Sequence, residues 1–403
     1  MADSGPLSFQ FSPRPTQSPI IVVGVTSQET CRAWGARLRK LRQAGFRVLL
    51  VCGRGGFADR AAILGGVERI VIPMRRSIAP ASDFIALLRL LWLIGSRRPD
   101  VVEFSTPKAG LLGMLAARLR GVPRRVYMMR GLKLERSAGF KRAVLLAAER
   151  LACACASNVL CNSDSLRREA LALRLAPSAK LAVLGQGSSI GVDIDRFSPG
   201  PSTVRDRFRI PRDAPLIGFV GRLTCDKGLP ELIVAFDEIL VAQPAARLLL
   251  VGWFDRAEDA LDMELRARIV NNRRIHTTGF VGDTAPYYRA MDVLVLPTWR
   301  EGFPNAVLEA AATGIPAVTT ESTGARDSVV PEVTGLLIPP GYPEAICEAV
   351  LKILGDPERR RKMGQAARAW VLEHYAEDRV LGLTADYYLS LLETEPQLVP
   401  QRV

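Results

Sequence analysis

One feature constrains this chain of 403 residues more than any other. Short apolar, β-branched runs alternate with segments of helical periodicity, in two successive series. The runs at 20–25, 47–52, 67–72, 101–104, 125–129 and 158–161 are apolar nearly throughout, which suits strands buried on both faces of a parallel sheet. Helical segments at 29–44, 83–95, 109–120 and 140–156 lie between them; Gly45 and Gly121 stop two of these, and Ser163 or Asp164 caps the helix after 158–161. The second series has strands at 216–220, 247–251, 275–278, 293–296, 317–320 and 336–338, with closing helices at 343–355, 357–374 and about 377–393. Between the series, 197–215 holds four prolines and reads as a linker. Such a pattern predicts an α/β fold of two Rossmann-like, doubly wound domains facing a central cleft. The predicted division is a leader without order at 1–17, one domain over 18–199, a second over 212–375, and a helix at 376–395 that packs back on the first.

Charge is divided unevenly. Residues 1–199 carry 31 Lys and Arg against 13 Asp and Glu, while the remainder is slightly acidic. Either the basic half meets an anionic surface, or it reflects an arginine-rich composition. Nucleic acid is not expected, since no zinc spacing, RNA-binding signature or aromatic-interleaved basic patch occurs. Seven cysteines without a C-x-x-C, and only His276 and His374, predict free thiols in a reducing cytoplasm and no multi-histidine metal centre. No apolar stretch reaches the ~18 residues of a membrane span. The best run, 84–95, contains Arg89; it reads as a buried helix or as a monotopic membrane contact.

Two segments carry chemistry. The first is Pro297-Thr-Trp-Arg-Glu301-Gly-Phe-Pro-Asn-Ala-Val-Leu-Glu309, which follows a strand and opens a helix. Gly302 permits a tight turn, Pro304 suits a first helical turn, and the free N–H groups of Asn305 and Ala306 offer a phosphate site at the positive helix end. Counting 1.5 Å per residue sets Glu301 and Glu309 roughly 12 Å apart, enough for two hydroxyl-bearing parts of one ligand and too far to share a proton. The bland alternative is a capping Glu301 and a solvated Glu309. The second segment is Phe219-Val-Gly221-Arg222-Leu-Thr-Cys-Asp-Lys227-Gly228, again between strand and helix. Its two glycines open a loop, and Arg222 and Lys227 would neutralise a diphosphate as charge grows on it.

These segments, with Thr278-Gly-Phe-Val281, resemble glycosyltransferase family 4, whose fold is GT-B, over roughly residues 20–390. The resemblance implies a retaining transferase that moves a sugar from a nucleotide-diphosphate sugar, UDP being the expected nucleotide. It implies that Arg222, Lys227 and Glu301 form the catalytic set, with the two cations on the donor diphosphate and Glu301 on the sugar. Glu309 would hold the ribose, and the backbone at Phe280 and Val281 would meet the base. Gly221 and the Gly302, Phe303, Pro304, Asn305, Ala306 stretch would complete the donor site. Ser105-Thr106-Pro-Lys108 and Arg130-Gly131-Leu-Lys133 look like a subgroup that builds capsular, O-antigen and other lipid-linked saccharides. Ser105, Thr106, Lys108, Arg130 and Lys133 are therefore acceptor candidates, and an undecaprenyl-diphosphate-linked or other anionic acceptor is the implied partner. The implied place is the cytoplasm, with peripheral contact at the inner face of the membrane.

The chain departs from the family at two points. Many members carry a histidine where Arg130 stands, so no catalytic histidine carries over; Arg130 would serve an acceptor phosphate or the donor diphosphate. The first loop, Gly24-Val-Thr-Ser-Gln-Glu29, lacks a double glycine. Asp193-Ile-Asp195 spells a D-x-D, but nothing beside it in the sequence supplies the further oxygens a hard cation needs, so no metal cofactor is expected. The rival readings are a GT-B epimerase, a Rossmann oxidoreductase and a non-catalytic nucleotide-sugar binder. The oxidoreductase lacks its G-x-G-x-x-G after the first strand.

Overall fold

A computed structural model describes residues 18–75, 77, 79–255 and 259–393; the predicted leader at 1–17 lies outside the described residues. The first lobe runs β1 (Ile20–Val25), α1 (Gly35–Gln43), β2 (Arg47–Cys52), α2 (Gly56–Gly65), β3 (Glu68–Val71) and α3 (Pro80–Arg97). It continues through β4 (Val101–Ser105), α4 (Pro107–Leu119), β5 (Arg124–Met129), α5 (Gly139–Cys155), β6 (Asn158–Cys161), α6 (Asp164–Ala172) and β7 (Leu181–Ala182). A short helix, α7 (Val204–Arg207), interrupts the linker. The second lobe holds β8 (Leu216–Val220), α8 (Leu229–Ala242), β9 (Arg247–Val251), α9 (Met263–Asn271), β10 (Ile275–Thr277), α10 (Ala285–Tyr288) and β11 (Val293–Leu296). Then follow α11 (Asn305–Ala312), β12 (Ala317–Thr320), β13 (Gly335–Ile338), α12 (Pro343–Leu354), α13 (Pro357–His374) and α14 (Glu377–Glu393).

Both sheets are parallel. Their orders are β3-β2-β1-β4-β5-β6-β7 and β10-β9-β8-β11-β12-β13, so the strand order reverses beside β1 and β8. Every residue of β8 and β4 is buried, as the continuous apolar runs require. In the first lobe, Val22, Phe104 and Tyr127 pack into one core layer and Ile21, Val23 and Leu50 into the other, on opposite faces of the sheet. Crevices beyond the carboxyl ends of strands at such reversals are where open α/β sheets bind ligands.

The structure differs from expectation in a few local places. The segment 29–44 is not one helix: a 3₁₀ turn, Gln28–Ala33, precedes α1, with Trp34 wholly buried at the junction. Helix α2 is absent from the sequence expectation because three glycines at 53, 55 and 56 mask its start. Helix α11 begins at Asn305 and Pro304 stands before it in extended conformation, so Glu309 lies about one turn into the helix, and the roughly 12 Å spacing counted along a helix from Glu301 does not apply.

The lobes meet along their carboxyl-end loops. The Ser165 backbone N–H donates to Asp327, and Gly324 N–H donates to Ser165 Oγ at 2.8 Å. Helix α14 crosses back onto the first lobe, packing on α1; there the Tyr388 hydroxyl donates to Glu103 on β4, and the Arg124 side chain donates to Leu392 O at 3.1 Å. The chain enters this crossing through Val192, which exchanges backbone hydrogen bonds of 2.8 Å with Tyr375 and Glu377. None of the seven cysteines, all among the described residues, forms a disulfide.

Candidate active site

Two turns of the second lobe build the site. After β8 the chain passes Gly221 and Arg222, then makes a 3₁₀ turn, Cys225–Lys227, closed by Gly228 in the left-handed region (φ +73°). A Cβ at Gly228 would lie 1.9 Å from Pro297 O, so only glycine fits where this turn crosses the end of β11. After β11 the chain turns at Glu301 and Gly302. A Cβ at Gly302 would lie 2.1 Å from Arg130 O of the first lobe, and the Arg130–Gly131 segment presses directly on this turn.

These turns bring Lys227 and Glu301 into an ion pair, both half-buried. Beside them, Arg222 bonds Asp255 at 3.0 Å and Asp226 at 3.3 Å, and Arg300 reaches Asp226 at 3.5 Å. Asp226 is buried and accepts from the Thr224 hydroxyl at 2.6 Å. Burial pushes its carboxyl up, but the Thr224 hydrogen bond and the cations Lys227, Arg222 and Arg300 more than offset that and hold it below the usual aspartate range. Asp226 is thus a fixed anion that gathers cations at the strand ends. The sequence shows it inside the loop but gives it no role; Asp255 and Arg300 carry no signal there either.

Glu309 does not join that group. Its carboxylate accepts from the Tyr288 hydroxyl at 2.8 Å, behind the helix start. Burial raises it to about 7, with the Tyr288 hydrogen bond pulling the other way. Phe303 is a core side chain, packed on Tyr375 with ring centroids 5.3 Å apart, so any ligand contact there falls to its backbone. Asn305 and Ala306, at the start of α11, are partly exposed. Phe280 is exposed at the rim, and Val281 packs on the second-lobe core. The Arg32 guanidinium of the first lobe lies 4.5–4.9 Å from the ring centroids of Phe57, Trp253 and Phe280, a clasp across the cleft mouth that the sequence does not signal.

The acceptor candidates divide: Ser105 and Arg130 fall on one face of the first-lobe sheet, and Lys108 does not join them. Ser105 is buried at the end of β4. Thr106 adopts φ +72° and pairs its hydroxyl with that of Thr26 at 2.8 Å. Lys108 is engaged elsewhere: its ammonium contacts Asp83 of α3 at 2.7 Å. Lys133 is exposed on a 3₁₀ turn, and Arg130 sits against Trp34 at 5.6 Å. Beside the Glu301 turn, a cavity of about 340 Å³ opens between the lobes, lined by Leu134, Glu135 and Glu169 on one side and Trp299, Ser322 and Thr323 on the other. Asp193 of the D-x-D accepts from Arg196 N–H, and no group of three metal-ligating side chains occurs among the described residues.

Known proteins match the chain along both lobes. Residues 32–187 match the Glycosyl transferase 4-like domain, and 214–356 match Glycosyl transferases group 1. The Staphylococcus aureus capsular polysaccharide biosynthesis glycosyltransferase CapM is 37% identical over 324 residues, covering 80% of this chain and 85% of that protein. The chain belongs to glycosyltransferase family 4. An Escherichia coli relative of this glycosyltransferase, UDP-Gal:alpha-D-GlcNAc-diphosphoundecaprenol alpha-1,3-galactosyltransferase, is 26% identical, covering 77% of this chain and 81% of its own length. Among solved structures, Anabaena HepE in complex with UDP-glucose superposes with a TM-score of 0.76 at 18% identity, covering 93% of this chain and all of that one. WaaG, a glycosyltransferase involved in lipopolysaccharide biosynthesis, gives 0.69 at 17% identity over 91% of this glycosyltransferase and 99% of that chain. The fold is GT-B.

Proposed function

We propose that this glycosyltransferase moves a sugar from a UDP-type donor to a hydroxyl of a lipid-linked saccharide, with retention, in the assembly of a cell-surface polysaccharide. The observation that carries the donor half is the ion pair of Lys227 with Glu301 beside Arg222. When donor enters, the diphosphate takes the two cations and frees Glu301 to accept hydrogen bonds from the sugar hydroxyls. The donor C1–O bond breaks as the acceptor oxygen bonds C1 on the same face, and the acceptor proton passes to the leaving diphosphate oxygen. Lys227 and Arg222 stabilise the charge that grows there, and closure of the lobes excludes water. No side chain is needed as nucleophile and no bound metal is invoked. That the E. coli relative is named for a UDP-sugar donor and a diphosphoundecaprenol acceptor, and CapM for capsule synthesis, supports the choice of donor and acceptor class.

Peripheral membrane contact belongs to this reading. No helix among the described residues is long and apolar enough to cross a membrane. Helix α3, however, exposes Phe84, Leu88 and Trp92 at successive i, i+4 positions, and α5 exposes Phe140, 85% accessible, beside Lys141. Apolar anchors flanked by cations suit an anionic bilayer surface.

A thermal-shift screen of nucleotides and nucleotide sugars tests the donor reading. A donor at 100 times its dissociation constant should add about 2.7 kcal/mol of stability. Absence of stabilisation by any nucleoside diphosphate contradicts it.

A further inference from the structure

Behind Arg130 lies a cluster of buried polar groups that none of the chemistry above uses. Strands β1, β4 and β5 align Val25, Ser105 and Met128 side by side. Alternation along the strands then puts Glu103, Ser105 and Arg130 on the sheet face that α1 covers. Helix α1 and its junction add Arg37 and Trp34. Arg37, Trp34, Glu103 and Ser105 are all at most 1% exposed. Both donors to Glu103, Arg37 at 2.5 Å and the Tyr388 hydroxyl, meet the same oxygen, Oε2. No ion pair joins Arg130 to a carboxylate among the described residues, and two guanidinium groups, Arg37 and Arg130, share the charge of one acid, Glu103.

The donors left over point the same way. Among the described residues of this cluster, Trp34 Nε1, Arg37 Nε and Nη1, Ser105 Oγ and Arg130 Nη1 are buried without a partner, against a single unpartnered acceptor, Glu103 Oε1. The Trp34 ring packs against both guanidinium groups, 5.2 Å from Arg37 and 5.6 Å from Arg130. Burial, reinforced by the Arg37 charge, pushes Arg130 down to about 10. A buried surplus of cation and donors is costly until an anion meets it. Arg130 is the partly exposed member of the cluster, and its backbone touches the Glu301–Gly302 turn, so the anion would arrive from the cleft beside the transferred sugar.

We propose that Arg130, with Ser105 and Trp34 beside it, is an oxyanion site of the first lobe, separate from the Arg222 and Lys227 pair, that takes a carboxylate or phosphate of the substrate other than the donor diphosphate. The inference rests on the donor reading for the place of the sugar. Two sources share this chemistry: the phosphate of a prenyl-diphosphate acceptor and the carboxylate of an acidic sugar.

Calorimetry on the full chain at saturating UDP separates them, because UDP occupies the donor cations. Geranyl diphosphate is compared with geraniol, and glucuronate with glucose. One anionic probe should bind at least about tenfold tighter than its neutral counterpart, a margin of about 1.4 kcal/mol. Arg130→Gln should abolish that preference while UDP affinity stays at the wild-type value, and Arg130→Lys should keep part of it. Should the glutamine variant fail to fold, a severalfold loss of preference in Arg130→Lys carries the test. No anionic preference in the wild type, or a preference that survives Arg130→Gln, overturns the proposal. A loss of UDP affinity in Arg130→Gln as large as in Lys227→Ala also overturns it, assigning Arg130 to the donor diphosphate. Wild-type protein that binds no UDP refutes the donor reading instead, and the probe preference measured without UDP still decides this one.

Discussion

The Lys227 ammonium contacts the Glu301 carboxylate across the gap between the turns that follow β8 and β11. Each group satisfies the charge of the other, and a sugar diphosphate would replace both partners at once. Lys227→Ala should therefore cut turnover by about 10²–10³, the usual loss when a donor aimed at developing charge is removed. Steady-state kinetics with saturating donor reads this; wild-type kcat contradicts the role.

On the proposed donor reading, Glu309 makes UDP binding sensitive to pH. Burial raises its carboxyl to about 7, above an ordinary glutamate. The folded protein thus holds this proton more tightly than the unfolded chain does, and the stability tied to it is full in acid and lost as pH rises from 4.5 through about 7. In that reading Glu309 accepts from the ribose hydroxyls, and ionisation strengthens the acceptor, so UDP affinity should rise across the same interval. Glu309→Gln should flatten both profiles. Titrations of UDP at several pH values, with matched melting curves, check the two signs together.

Much of this is legible in the sequence. The fully apolar runs announce parallel strands buried on both faces, and glycines and prolines mark most element ends. Lys227, Arg222 and Glu301 can be grouped because each stands in a turn at the carboxyl end of a strand, where topology leaves little freedom. Asp226 and Asp255 cannot be weighed, because an acid in a loop looks the same whether it faces solvent or anchors two arginines. Glu309 is recognised by spacing, but its partner Tyr288 is 21 residues away on another helix, and no local pattern announces such a bond. Arg37 looks like one more surface cation on an arginine-rich helix; only the folded chain sets it against Glu103 and Tyr388.

That buried triad yields a stability prediction. Glu103→Gln leaves two guanidinium groups without an acid and should cost about 3–5 kcal/mol. Tyr388→Phe removes one charge-assisted hydrogen bond and should cost about 1.5–3 kcal/mol. Because Tyr388 belongs to α14, its loss should also loosen that helix from the first lobe. Urea denaturation and hydrogen exchange of 377–393 measure the two effects.

Gly302 is fixed by the neighbouring lobe. A methyl group there would meet Arg130 O at 2.1 Å, so Gly302→Ala must push the Arg130–Gly131 segment away. Turnover should fall more than about tenfold with little change in the far-UV spectrum, since positioning errors of an ångström cost on the order of 100-fold.

Membrane contact can be read without any substrate. Trp92→Ser with Phe140→Ser should weaken co-sedimentation with vesicles containing anionic phosphatidylglycerol, and high salt should weaken it for the wild type, since the flanking cations contribute about 1 kcal/mol each. Equal binding of wild type and double variant at all salt concentrations contradicts the assignment of this face.

The most direct measurement is calorimetric titration of UDP into the wild type and into the Arg222→Ala, Lys227→Ala double variant. Two charge-assisted contacts to the diphosphate predict a loss of affinity on the order of 100-fold or more, in a variant that melts cooperatively. Equal UDP affinity in the two proteins contradicts the central claim that these cations hold the donor.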